Sequence, residues 1–177
     1  MASVFGHLIF QLFVMFQGTK NKVPNSQRFL YWGASVVLSL ILFLTRFPLP
    51  VKVMLFSAMA YISGMVMNDV KDVREAIIET ATIFASMFVA GVLTVRMGYK
   101  LDTLGTVLTV ALVGVLIARL MKPKRSYGKI LSILFALLVV YDTNSILQKN
   151  YGGDYVNASL DYFLDVETLF RLAGGDD

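Results

Sequence analysis

Asp142 stands in the stretch "VVYDTNSILQK", directly after the apolar run "ILSILFALL". Burying an isolated carboxylate in such surroundings is costly, so a partner or a task is expected of it. The last apolar stretch, "YVNASLDYFLDVETLFRL", holds three more acids, Asp161, Asp165 and Glu167. Asp161 and Asp165 are four apart and share one face of a helix, whereas Glu167 points roughly 160° from Asp165. If the helices carrying Asp142 and Asp165 are antiparallel neighbours joined by the "NYGGD" turn, Asp142 lies ten residues before Gly152 and Asp165 thirteen after it. At about 1.5 Å per residue their depths then differ by only about 4–5 Å, within side-chain reach.

Two carboxylates brought together in weakly polar surroundings cannot comfortably both ionise, so the pair shares a proton and titrates as a unit. The chemistry expected of Asp142 and Asp165 is therefore that of a proton-sensitive cation site. Fully ionised, the pair could hold Ca²⁺ transiently, with carbonyls and water completing the oxygen shell. Plainer readings stand beside this one. Asp142 could end a helix with "DTN" opening a loop, and Asp165 could be tied to backbone amides or a lysine. Solvated or anchoring roles are favoured for Asp161 and Glu167, with Asp161 kept as a secondary acid. Arg46, at the end of "ILFLTRFPLP", is the best-placed basic residue to counter the acid pair, although by sequence physics alone it is an interfacial anchor. His7 reads as a polar residue near the membrane surface, and Glu79 as interfacial.

Of the 177 residues, 56% are hydrophobic and 16% charged, and the mean hydropathy is +0.68. Such a chain belongs in a membrane rather than in water. With no cysteine and a single histidine, disulfide, thiol and histidine-cluster metal chemistry are excluded, which leaves carboxylates for proton or cation work. The formal charge is +4, with Lys and Arg gathered at the ends of apolar runs as interfacial anchors, not as a nucleic-acid face. The first apolar run follows Met1 directly, so no cleaved signal peptide is expected.

Seven apolar runs, 3–18, 29–46, 51–68, 76–96, 103–121, 129–148 and 155–172, predict an all-α, seven-helix transmembrane bundle. One transmembrane domain over 1–177 accounts for the chain, with no soluble domain. The count falls to six spans if the first run, interrupted by His7 and Gln11, lies shallowly. Proline and glycine punctuate the joins, as in "TRFPLP" and "NYGGD". Ala60 and Gly64 form a small-xxx-small pair that permits close helix packing. Most of the sixteen Lys and Arg fall in or at the edges of the loops after the first, third and fifth runs and in the C-terminal tail, a bias that places those loops in the cytosol and the N-terminus outside.

The C-terminal stretch "VVYDTNSILQKNYGGDYVNASLDYFLDVETLF" resembles the signature of the Bax inhibitor-like family, also called the transmembrane Bax inhibitor motif or lifeguard family. The matching elements are "YDT", "FLD" and "ETLF"; weaker, collinear matches are "HLIFQLFV", "TRFPLPVKVMLFSAMAYISGMVM" and "YKLDTLG". By this resemblance the chain is a short, divergent member, with Phe163 where tyrosine is usual and Glu167 where a neutral residue is common. The resemblance implies six helices around a central sixth, a cytosolic N-terminus and a pH-sensitive pathway for Ca²⁺ leak. It also implies that Asp142 and Asp165 form the hydrogen-bonded pair, with Arg46 as the latch onto Asp142.

The function expected on these grounds is a non-enzymatic, pH-sensitive calcium leak linked to calcium homeostasis and suppression of cell death. Its partners are the bilayer, Ca²⁺ and H⁺, and apoptosis-regulating membrane proteins; no tightly bound cofactor and no nucleic acid are expected. The alternative is a non-conducting intramembrane protein that inhibits apoptosis through partner contacts. The membrane is expected to be the endoplasmic reticulum or Golgi in a eukaryotic or viral setting, and the plasma membrane in a bacterium. An intramembrane aspartyl protease is disfavoured because "YGGD" has tyrosine where the Gly-x-Gly-Asp motif requires glycine.

Overall fold

The computed structural model describes residues 1–67, 72–121, 127–148 and 154–174. Among these, all regular structure is helical: α1 Ala2–Gly18, α2 Asn25–Leu44, α3 Leu49–Met65, α4 Val73–Arg96, α5 Asp102–Met121, α6 Gly128–Gln148 and α7 Tyr155–Ala173. Each helix coincides with one of the apolar runs to within a few residues. Their ends follow from local chemistry. Pro48 precedes α3 and Pro50 sits in its first turn, where a missing N–H costs nothing. Asp72 caps α4 by accepting from the Glu75 amide at 3.0 Å, and Gly98, at φ +80, turns the chain out of that helix.

Among the described residues, α2, α4 and α6 are long and apolar enough to cross a membrane, while α1, α3 and residues 102–115 of α5 are apolar but shorter. At 17 residues, α1 and α3 are about 25 Å long, a little under a typical hydrocarbon thickness. The outward surface is apolar: Phe29, Leu30, Leu44, Val110 and Met121 are each more than two-thirds exposed. A soluble domain would not show such a surface, whereas acyl chains solvate it without cost.

The helices group into two compact units, Met1–Asn68 with Gly152–Phe163, and Asp69–Tyr151 with Leu164–Asp177. In the first, α3 packs against both α1 and α2. The α1–α3 contact is backbone on backbone: a Cβ built on Gly18 would lie 2.2 Å from the Tyr61 carbonyl oxygen, and one on Gly64 would lie 2.0 Å from that of Met15. Gly64 of the small-residue pair is thus where α1 crosses, and Ala60 beside it is fully buried. Ser35 and Ser63, 2.7 Å apart, join α2 to α3.

In the second unit α6 packs against both α4 and α5, as expected of a helix placed among its neighbours. It nevertheless keeps exposed residues at Lys129, Ile130, Ile133, Leu137, Leu147 and Gln148, whereas no described residue of α7 is exposed. The most enclosed helix is therefore α7, the one richest in acids.

The first half of α7, in the first unit, is anchored at its start by Asp154. One carboxylate oxygen accepts from the Asn157 amide at 3.3 Å, capping the helix. The other is ion-paired with Lys52 of α3, which also donates to Asn157 Oδ1 at 3.2 Å. Farther along, Tyr162 stacks on Phe5 at 5.9 Å and Phe163 meets Phe56 edge-on at 5.2 Å.

Two stability outcomes follow. Gly64→Leu must push the α1 backbone away and should cost about 1–3 kcal/mol, seen as a lower unfolding temperature in detergent, while Gly6→Ala, with nothing within 4 Å of its Cβ, should leave it unchanged. The Lys52 side chain is 7% exposed and that of Asp154 34%, so removing the acid strands the more deeply buried charge. Asp154→Asn, which keeps the cap, should therefore destabilise by about 1–3 kcal/mol and by more than Lys52→Met in the same melt.

Candidate functional site

The signature residues of α6 divide among three faces, because successive residues are about 100° apart. Tyr141 lies on α5, where a Cβ on Gly105 would come within 2.4 Å of its ring. Thr143, fully buried, lies on α4, where a Cβ on Gly91 would come within 2.5 Å of its own Cβ. Gly91 is needed because a Cβ there would also meet the Val140 carbonyl oxygen at 2.9 Å, whereas at Gly105 it is the Tyr141 ring that would have to shift. One residue farther, Asn144 donates to Thr94 Oγ1 at 2.8 Å and to the Tyr99 carbonyl at 2.9 Å. That carbonyl also accepts from Gln148 at 2.7 Å. The end of α4 and the chain leaving it are thereby tied to α6.

Asp142 occupies the remaining face, one turn from the buried Val139 and Ile146, and is half-buried. The helix continues to Gln148, so Asp142 is not a helix-terminal residue and "DTN" does not open a loop. Asp165 belongs to the same unit and is 3% exposed. Asp161 is half-buried and belongs to the first unit.

Other residues differ from expectation. Glu167 is buried rather than solvated, and Arg171, four residues on, donates to it through Nη2 at 2.8 Å and Nε at 3.1 Å. Arg46 does not end α2, which stops at Leu44; it lies in the following linker, in the first unit, with its side chain exposed. Glu79 is exposed. Asp154 is consumed by Lys52 and by its cap. Among the described residues no three His, Asp or Glu side chains gather as a metal-holding group.

His7 is buried in the first unit. Its Nδ1 lies 2.6 Å from Ser159 Oγ of α7, and its Nε2 lies 3.1 Å from Nε2 of the fully buried Gln11. Gln11 in turn donates to Ser57 Oγ of α3 at 3.1 Å. The rings of Phe56 and Tyr155 stand edge-on to the imidazole, with centroids at 5.2 and 5.7 Å. This network and the Lys52–Asp154 pair were not evident as sites from the sequence. The only signal was spacing: His7 and Gln11 are four apart, and the two polar residues that interrupt the first run lie on one inward face.

The comparisons with known proteins cover nearly all of these elements. Residues 1–172 match a family model described as Bax1-I, inhibitor of apoptosis-promoting Bax1. Protein LIFEGUARD 3 of Arabidopsis thaliana is 28% identical over 123 residues, which is 64% of this chain and 50% of that protein. Protein LIFEGUARD 1 of the same plant is 30% identical over 106 residues, 55% of this chain and 45% of that protein. The chain thus spans about half the length of the curated relatives it matches. An all-helical fold with apolar membrane-length helices, and a family match running from α1 through α7, together show that this chain belongs to the Bax inhibitor-like, or lifeguard, family of helical membrane proteins.

Proposed function

We propose that this chain is a pH-sensitive calcium leak of a membrane, in which Asp142 and Asp165 share the proton and transiently hold the ion, and that the leak serves to restrain cell death. The observation that supports this reading most is the placement of the two acids. Asp142 lies inside α6 rather than at its end, with its neighbours committed to α4 and α5, and Asp165 is 3% exposed in the same unit. Intramembrane acids so placed are costly to keep and usually serve transport or proton relay. The pair offers a hard cation two charged oxygens groups and no thiol or imidazole, the ligand set that suits Ca²⁺. The link to cell death rests on the family description, which names inhibition of an apoptosis-promoting protein.

In this reading Arg46 is the latch. Bound to ionised Asp142, it holds the pathway shut; protonation removes the charge that retains it. Its position on a linker, two residues beyond α2, suits a side chain that must swing. Acidification speeds the leak even though a protonated pair binds Ca²⁺ less well, because permeation needs weak, brief binding.

The second reading is a non-conducting protein that inhibits apoptosis through partner contacts, and the family description favours it in naming such a partner. Liposomes separate the two. The leak reading expects Ca²⁺ flux through the purified protein that rises on acidification, and Asp142→Asn, which mimics the protonated acid, to leak more at neutral pH and lose most of the pH response. Arg46→Ala should also raise the neutral-pH leak. No flux above that of empty vesicles favours the interaction protein; an unchanged pH response in Asp142→Asn places the sensor elsewhere, with Asp161 the next residue to substitute.

A further inference from the structure

We propose that His7 is a proton-binding site in its own right, built into the first unit by α1, α3 and α7 and separate from the Asp142–Asp165 pair. The argument is one of hydrogen-bond polarity. Ser159 has a single hydroxyl proton, and its Oγ donates it to the Val156 carbonyl at 2.8 Å. The 2.6 Å contact with His7 Nδ1 must then carry a proton belonging to the imidazole. A neutral imidazole has only one, so Nε2 is bare and accepts from the Gln11 amide at 3.1 Å. Gln11 Oε1, with no hydrogen-bond partner among the described residues, is left as the one spare acceptor of the network.

A second proton on the imidazole would set Nε2–H against the Gln11 NH₂. Turning the Gln11 amide over removes the conflict, since it brings Oε1 to face Nε2–H. The terminal amide torsion is broad and roughly two-fold, so no helix has to move. In the same position Oε1 can also accept from the Ser57 hydroxyl, which accepted from the amide before. The network thus has two settings, one for each charge state of His7: the acceptor left over in the first is used in the second, where the Gln11 NH₂ takes its unanswered place.

The rings of Phe56 and Tyr155 stand edge-on to the imidazole, with centroids at 5.2 and 5.7 Å, and leave its two nitrogens to Ser159 and Gln11. The charged and titratable groups that the first unit places on these elements are Lys52 and Tyr61 of α3, Asp154 before α7, Tyr155, Asp161 and Tyr162 of α7, and the amino group of Met1 before α1. Lys52 and Asp154 are ion-paired with each other, about one and a half turns from Ser57 and Ser159 along their helices. The inference does not rest on ion conduction: a chain that passes no Ca²⁺ would still take up this proton.

The test uses the fact that the chain has one histidine. Histidine-selective ¹⁵N labelling of the protein in lipid nanodiscs reads His7 alone, without assignment. At about pH 8 the expected spectrum is that of the Nδ1–H tautomer with bare Nε2; by about pH 5 Nε2 gains its proton reversibly, and in a second, glutamine-labelled sample the side-chain amide signal that Gln11→Glu removes moves with the same midpoint. Gln11→Glu gives the imidazolium a carboxylate partner and should move the midpoint to higher pH, whereas Asp142→Asn should leave it where it is. An unprotonated Nε2 throughout this range overturns the proposal. So does a Gln11 amide that stays still while His7 titrates, and so does a midpoint that follows Asp142→Asn, which would make His7 a reporter of the acid pair and not a second site.

Discussion

A helix lined with acids and amides can be kept in an apolar chain only if neighbouring helices supply the partners that lipid cannot. Hydrocarbon offers no hydrogen bonds, so each buried polar group of α7 must be answered from within the protein. Three answers are visible. Lys52 of α3 pairs with Asp154 at the start of the helix, His7 of α1 meets Ser159 in its first half, and Arg171 reaches back to Glu167 in its second. The first two set the register of the helix's first half; the third is made within α7 itself, one turn along. The aromatic contacts Phe5–Tyr162 and Phe56–Phe163 then hold its first half against rotation. The position of Asp161 is a consequence of that register, because a helix pinned to α3 at 154 and to α1 at 159 has no freedom to turn this acid elsewhere.

Both units rely on glycine for the close approach that lets short polar side chains reach across. Gly18 and Gly64 bring α1 onto α3, about two turns along from the place where Gln11 finds Ser57. Gly91 and Gly105 bring α4 and α5 onto α6, where Asn144 finds Thr94 and the Tyr99 carbonyl. Van der Waals contact through small residues and hydrogen bonds between helices are the two forces left where the hydrophobic effect no longer distinguishes helix from solvent. Asp142 is defined by this packing: Tyr141 and Thr143 on either side are committed to α5 and α4, and the acid takes the face that remains.

The helices were legible in the sequence because apolar runs and their proline and glycine breaks are local signals. The end of α2 was less so. Apolarity continues to Phe47, but a residue before proline is pushed out of the helical region, and the helix stops at Leu44, leaving Arg46 outside it. The importance of Asp142 and Asp165 was legible from charge in apolar surroundings. His7 and Gln11 carried the same kind of signal, but a hydropathy count treats polar residues as a weakness in a span, whereas their four-residue spacing marks an inward polar face. Glu167 and Arg171 also have helical spacing, and a reading by pairs rather than by single residues finds them. Lys52 and Asp154 could not be paired in this way, since they are 102 positions apart and only the fold brings them together.

That separation has a consequence in time. A chain made at about 5–20 residues per second exposes Lys52 to the membrane several seconds before Asp154 exists, and α3 has no acid of its own to offer it. For that interval α3 carries an unanswered charge near its start, which only water, headgroups or a membrane-insertion factor can accommodate. The first three helices can thus reach the membrane early, but the unit they belong to is complete only when the last helix arrives.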